Sequence, residues 1–245
     1  MTGPRAAISA ELRAAGFCVL RGIVPAAKIA RVSAAYDRAF ATATAPDFKV
    51  ARSGGSMRLT DFVTRDAEFD ELYVLELVLF ACADTIGPQF KLSSFSGRTV
   101  QPGAAAQELH VDVRPDEDAW PLLGFIVMVD EFREDNGATR FVPGSHRWTE
   151  TPAQVLADCA APHPDDVLTC GPAGSLILFD ASTWHGYTAN SSSSGRRSMQ
   201  GTFIPRSGRA ATDFLGRMRP STFARLSATA CEVIGIASAI HAPPV

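Results

Sequence analysis

The spacing of apolar positions changes near residue 88, and the change divides the chain in two. Before it, Ile29, Val32, Tyr36 and Phe40 recur three and four residues apart, which predicts a long helix opened by Pro25 and running to about Thr44. A second amphipathic helix is predicted from about Ala67 to Ile86, carrying Phe69, Leu72, Leu75, Leu79 and Phe80. A short helix over Ser9–Ala15, capped by Ser9 and stopped by Gly16, leads into an apolar strand at Phe17–Leu20. Between the long helices, residues 46–60 (PDFKVARSGGSMRLT) read as a basic, Gly/Ser-rich loop.

After Gly87-Pro88 the period shortens to that of β-structure. Strands are predicted at Phe90–Val100, Glu108–Val113, Leu122–Phe132, Thr139–Val142, Asp166–Cys170, Ser175–Asp180, Gly186–Asn190 and Arg197–Ile204. Turn chemistry separates them at Gln101-Pro102-Gly103, Asp135-Asn136-Gly137, Gly171–Gly174 and the serine run 191–194. About eight antiparallel strands behind a helical segment predict a mainly β fold with flanking helices, built on a double-stranded β-helix (a jelly-roll, cupin-like core). The expected organisation is one domain over 1–245. It comprises a mostly helical part to about residue 87, the jelly-roll core at 88–205, and a closing helix over 220–240 with a tail within 206–245.

Composition narrows the function mainly by exclusion. The 245 residues, 46% hydrophobic and 20% charged, suit an ordinary globular protein. A net charge of -3 with dispersed Lys and Arg gives no nucleic-acid footprint. The longest apolar run, Leu72–Ala83, is interrupted by Glu76 and is too short to cross a bilayer, so no membrane association is expected. Met1–Arg13 lacks a signal-like apolar stretch. Five cysteines, odd in number and without CxxC spacing, predict free thiols in a reducing compartment and hence a cytoplasmic location. The sequence carries no sign of oligomeric state.

The candidate chemistry starts at His110-Val111-Asp112. On a strand, side chains two apart share a face, so the imidazole and carboxylate can converge on one point. Taken alone, this motif is better accounted for by a structural hydrogen-bonded pair. His185, just past the apolar run Ser175–Asp180, offers a third ligand, and two His with one carboxylate leave half of an octahedral metal open, as Fe(II) oxygen chemistry needs. Zinc is the competing metal. Eleven residues on, Arg196 and Ser198 share a face from which Arg197 is excluded; a guanidinium fork beside a hydroxyl suits a carboxylate, while two consecutive arginines at a solvated strand end are the plainer account.

The stretches GFCVLRGIVP (16–25), QELHVD (107–112), DNGATRFVPGSHRW (135–148) and WHGYTANSSSSGRRS (184–198) resemble, in order, the phytanoyl-CoA dioxygenase (PhyH) family of Fe(II)/2-oxoglutarate-dependent oxygenases. The resemblance implies His110, Asp112 and His185 as iron ligands. It implies Arg196, with Ser198 assisting, as the holder of the distal carboxylate of 2-oxoglutarate, and Gln107 as a further cosubstrate contact. It implies an oxygenase that consumes 2-oxoglutarate and O2, releases succinate and CO2, and hydroxylates or otherwise oxidises a C–H bond of a small molecule. Related halogenases replace the carboxylate ligand with a small residue, so Asp112 argues against halogenation. His146, in the turn VPGSHRW, is expected to be structural, and His163 and His241 exposed. The substrate pocket is expected to draw on Met57, Arg58, Arg98, Ile126 and Met128, with Lys49, Arg52 and Phe62 nearby. Its several cations would suit an anionic substrate, although solvated surface explains them too. Two other readings stay open: a cupin-like metal enzyme indifferent to 2-oxoglutarate, and a non-catalytic binding module on the same fold.

Overall fold

The computed structural model describes residues 3–49, 55–113 and 121–236. Ten strands form among them: β1 (Phe17–Leu20), β2 (Phe48–Lys49), β3 (Ser56–Leu59), β4 (Phe90–Val100), β5 (Leu123–Met128), β6 (Thr139–Phe141), β7 (Val167–Leu168), β8 (Leu176–Asp180), β9 (His185–Tyr187) and β10 (Arg196–Pro205). They make a seven-stranded sheet in the order β1-β8-β5-β10-β4-β3-β2 and a three-stranded sheet in the order β7-β6-β9, with antiparallel pairing throughout. This is the jelly-roll arrangement that the strand periodicity predicts.

Alternation along the long strands gives the large sheet two chemically distinct faces. Phe95, Leu123, Phe125, Val127, Met199 and Phe203 point outward and are buried against the helices, together with Ile29, Val32 and Tyr36 of helix α2 (Ala26–Thr42). Each such fully buried side chain contributes about 1.5–3 kcal/mol. Tyr36 also satisfies its hydroxyl against Thr99 Oγ1 at 2.8 Å. The inner face carries a second apolar cluster at one end, with Ile126, Met128, Ile177 and Phe179 against Phe132 and Phe141. At the other end β4 and β10 turn polar, and there the cavity forms.

Several elements differ from expectation. The first helix, α1 (Pro4–Ala15), begins five residues early, so Ser9 is buried within it rather than capping it; Gly16 stops it as expected, at φ 84°. Residues 46–60 are not simply a loop: β2 and β3 extend the large sheet, because β3 pairs with β4 over Ser56–Leu59. The helix expected at 67–86 is broken, and only Glu76–Thr85 is α-helical. Phe69, Leu72 and Tyr73 are all buried, and the side chain of Asp66 holds the N–H of Glu68 in a 3-10 turn, which competes with continuous helix. The closing helix splits into Pro220–Arg225 and Ala228–Val233, because Ser227 caps a new start by accepting from Ala230 N–H. Arg52 and His241 lie outside the described residues. No helix among the described residues is long and apolar enough to cross a membrane.

Candidate metal and carboxylate site

His110 and Asp112 do not lie on a regular strand. The backbones of His110 and His185 exchange reciprocal hydrogen bonds at 3.0 Å, forming one isolated antiparallel bridge. The ladder then ends because Asp112 N–H turns to Ala181 O at 2.8 Å. The predicted convergence nevertheless holds: the bridge brings the two imidazole centroids to 4.4 Å, their planes tilted by 45°, and the bend aims Asp112 at both. Asp112 Oδ1 lies 3.9 Å from His110 Nε2, and Oδ2 lies 3.7 Å from His185 Nε2. One ligand atom from each residue falls within 4.8 Å of the others.

Protonation follows from the outer hydrogen bonds. His110 Nδ1 meets Glu108 O at 2.9 Å and His185 Nδ1 meets Thr183 O at 2.8 Å; a carbonyl only accepts, so each Nδ1 donates and each Nε2 is the ring atom left to face a metal. Burial, helped by the neighbouring His185 ring, pushes the His110 pKa down to about 4, so this imidazole is neutral at physiological pH. His185 is 7% exposed, held between Phe179 and Phe141. The turn VPGSHRW sets its strand: Ser145 Oγ donates to Val142 O and accepts from Trp184 N–H at 2.8 Å. Two oriented imidazole nitrogens and a carboxylate with its oxygens turned inward fit a divalent metal. His146 is not among them, since its Nε2 reaches Arg13 O at 3.3 Å. His163 packs edge-on to Trp184 and is largely covered rather than exposed.

The triad opens into a cavity of about 220 Å³ that Arg196 also lines. Arg196 is 1% exposed. Its Nη2 donates to Gly137 O at 2.6 Å and its Nη1 to Ser198 Oγ at 3.2 Å, while Phe132 lies flat beneath it at 4.1 Å. Its Nε has no acceptor, and no carboxylate among the described residues pairs with it. Burial, then the nearby charge of Arg98, lowers its pKa to about 9, which still leaves it cationic. Arg197, on the opposite face, is tied to Asp130 and Asp37. A buried, charged fork with no carboxylate partner among the described residues has the chemistry to accept an anion.

Of the other residues expected in the site, Gln107, Arg58, Arg98 and Ile126 line the same cavity. Met57 does not: it lies between Ser56 and Arg58 on the opposite face of β3 and is 41% exposed. Met128 shares Ile126's face but is packed in the apolar cluster beyond the cavity, beside Phe132. Phe62 is fully buried on the helical side, and Lys49 is exposed on β2. Sequence reasoning missed Phe132, Phe179 and the Gly137 carbonyl. The Asn136-Gly137 turn was a signal for the last, because Gly137 takes a left-handed φ of 80° that favours glycine there.

Comparison with known proteins follows the same lines. The dioxygenase cdmA of Talaromyces verruculosus is 39% identical over 111 residues, 41% of this chain and 35% of that protein. The dioxygenase trt7 of Aspergillus terreus is 36% identical over 118 residues, 43% of this chain and 38% of that protein. The matched stretch thus spans little more than a third of the length of these relatives. Among solved structures, HygX from Streptomyces hygroscopicus, with nickel, 2-oxoglutarate and hygromycin B bound, superposes with a TM-score of 0.67 at 14% identity, covering 86% of this chain and 90% of that one. The epimerase SnoN, in complex with Fe3+, alpha-ketoglutarate and nogalamycin RO, gives 0.68 at 18% identity, covering 89% and 91%. The family model for phytanoyl-CoA dioxygenase matches residues 12–198, three quarters of the sequence, and the chain belongs to the phytanoyl-CoA dioxygenase (PhyH) family.

Proposed function

We propose that this chain is an Fe(II)- and 2-oxoglutarate-dependent oxygenase that hydroxylates, or otherwise oxidises at C–H, a small-molecule substrate, with release of succinate and CO2. The observation that carries the reading is that a wholly buried guanidinium, Arg196, with no carboxylate partner among the described residues, opens into the same cavity as the His-Asp-His triad. Either feature alone has other uses; together they suit a metal-chelating dicarboxylate. His110, Asp112 and His185 are the residues to hold Fe(II). Bound there, the iron supplies oxidative decarboxylation of 2-oxoglutarate by O2 and the oxidising power to cleave a substrate C–H bond.

The chain's own residues bind, orient and exclude. Glu108 O and Thr183 O hold both imidazoles in the tautomer a metal requires. Phe179 and Phe141 cover the inner side of His185 and keep water from it. Arg196 and Ser198 receive the distal carboxylate, and Gln107 contributes a further polar contact. The substrate is a small molecule, and the cations of the cavity favour one with negative charge. A cytoplasmic location is part of this reading, supported by five free cysteines. Anaerobic titration of the metal-free protein with Fe(II) and 2-oxoglutarate tests it. A visible metal-to-ligand charge-transfer band should appear with both present and vanish in His185→Ala, and its absence from the wild-type protein would refute the assignment.

A further inference from the structure

The segment that delivers the first triad residue is the least regular part of the site, and the groups that fix it lie outside the cavity. Residues 107–110 run beside β9 but pair with it in register only at the His110–His185 bridge, with one further bond from Gln107 N–H to Tyr187 O at 2.8 Å. Short of the bridge the segment leaves the ladder and folds over Gly186, where an added Cβ would lie 2.9 Å from Gln107 O and 3.2 Å from Glu108 O. A kink of this kind turns carbonyls away from the neighbouring strand, so each needs a donor from elsewhere. Glu108 O accepts from His110 Nδ1 at 2.9 Å. Gln107 O accepts from Arg140 at 3.2 Å.

Arg140 stands opposite Gly186 in the β6–β9 ladder, so its side chain leaves the face over which the kink runs. Its neighbour Thr139 lines the cavity, and Arg140 points the other way. It is 2% exposed, and its fork reaches three separate segments. Nη1 donates to Ala161 O at 2.8 Å and Asp166 Oδ2 at 2.9 Å; Nη2 donates to Gln107 O at 3.2 Å and to Cys159 O and Ala160 O at 3.1 Å. Cys159 O also accepts from Leu109 N–H at 2.8 Å. That N–H belongs to the same planar peptide unit as Glu108 O, the carbonyl that holds His110 Nδ1. The guanidinium thus braces Glu108 on both sides, directly at the preceding carbonyl and through Cys159 at the following N–H.

We infer that Arg140 is a positioning residue for the metal site: through the Gln107 and Cys159 carbonyls it sets the plane of the Glu108–Leu109 peptide, and that peptide sets the orientation of the His110 ring. The inference rests on the oxygenase reading for the metal, while the relay from guanidinium to imidazole stands on its own geometry. Asp166 supplies the counter-charge that lets the cation be buried. Lysine could keep that ion pair, but a compact ammonium with three donors cannot span carbonyls on both sides of the kink. Partners that orient a ligating imidazole from behind typically change metal affinity by about 10- to 100-fold.

The test compares Arg140→Lys with Asp166→Asn. The first keeps the charge and loses the fork; the second breaks the ion pair and leaves the contacts to Gln107 and Cys159. Both should lower the melting temperature, because both disturb a buried pair. Only Arg140→Lys should reach the site. In metal-free protein with isotope-labelled histidine, proton–nitrogen correlation spectra at neutral pH should show His110 losing the pure Nδ1–H signature it has in wild type, while His185 keeps it. The Ni(II) Kd from calorimetry should rise by about 10- to 100-fold in Arg140→Lys and stay within about 3-fold of wild type in Asp166→Asn. An unchanged His110 ring, an unchanged Ni(II) Kd, or equal losses of affinity in the two variants would overturn the inference, the last by making Arg140 purely structural. If Arg140→Lys does not fold, Gly186→Ala presses on the Gln107 carbonyl from the other side, and an unchanged His110 ring there overturns the inference as well. If wild-type protein binds no Ni(II), the metal assignment fails instead, and the ring signature alone then decides whether Arg140 orients His110.

Discussion

Replacing Arg196 with methionine separates a binding role from a structural one. The guanidinium is wholly buried, donates to Gly137 O and Ser198 Oγ, and has no carboxylate partner among the described residues. In the liganded state it would add two charge-assisted hydrogen bonds to a carboxylate, each contributing about 1.5–3 kcal/mol. Their loss should weaken 2-oxoglutarate binding by about 3–6 kcal/mol, or roughly 10²- to 10⁴-fold in Kd. Stability should change little. Exchanging a buried ion for an apolar side chain of similar volume is neutral or stabilising by about 1–4 kcal/mol. Against this, stranding the Gly137 carbonyl costs about 1–3 kcal/mol. The two nearly cancel, so the metal-free variant should melt within about 4 °C of wild type. Two measurements decide the matter: the charge-transfer titration for binding and calorimetry for stability. A fall in melting temperature of more than about 10 °C, with 2-oxoglutarate affinity unchanged, would make Arg196 a structural residue and refute the reasoning.

Three further predictions probe the surroundings. Ni(II), an oxygen-stable probe, should raise the melting temperature by roughly 5–10 °C at 100 times its Kd, from about 2.7 kcal/mol of linkage, and both EDTA and His185→Ala should remove the rise. At Gly201 an added Cβ would lie 2.2 Å from Phe125 Cε1, and that ring is itself held against Phe95 and Phe203, so Gly201→Ala should destabilise by about 1–3 kcal/mol in denaturant unfolding; a neutral result would show that the β5–β10 contact is looser than described. The Asp47 carboxyl, which accepts from the Thr44 N–H and hydroxyl and from Arg65, is lowered from 3.8 to about 2. The group is more acidic in the folded state, so its stabilisation is present above about pH 4 and lost as pH falls towards 2. In Asp47→Asn, unfolding free energy should fall less steeply across that window than in wild type.

Much of this molecule was legible from local pattern. Strand β4 begins and ends where alternation and the flanking Gly87-Pro88 and Gln101-Pro102-Gly103 place it, and β1 likewise. Arg196 and Ser198 face inward and Arg197 outward because the period of a strand is two, whatever the strand pairs with. The helical break at 67–75 was not legible, since Leu72, Tyr73 and Leu75 suit helical spacing as well as they suit consecutive buried turns. Nor was β3: Ser-Met-Arg-Leu has little strand character of its own, and its extended form comes from pairing with an already formed edge of β4.

The division between sequence and tertiary structure runs through the site itself. The sequence by itself determined which groups are present: two imidazoles and a carboxylate able to ligate a metal, and a guanidinium two residues from a hydroxyl on one face. It also determined that Ile126 and Met128 share a face, because alternation is a property of the backbone. Only the tertiary structure decided that His110 and His185, 75 positions apart, exchange backbone hydrogen bonds so that Asp112 meets both rings. It alone decided that Met128 is spent on packing while Ile126 reaches the cavity, that Met57 turns to solvent, and that Arg58 is brought opposite Arg98. The reason is physical: periodicity is written into a few neighbouring residues, whereas strand register and the burial of a charge depend on partners supplied from elsewhere in the chain.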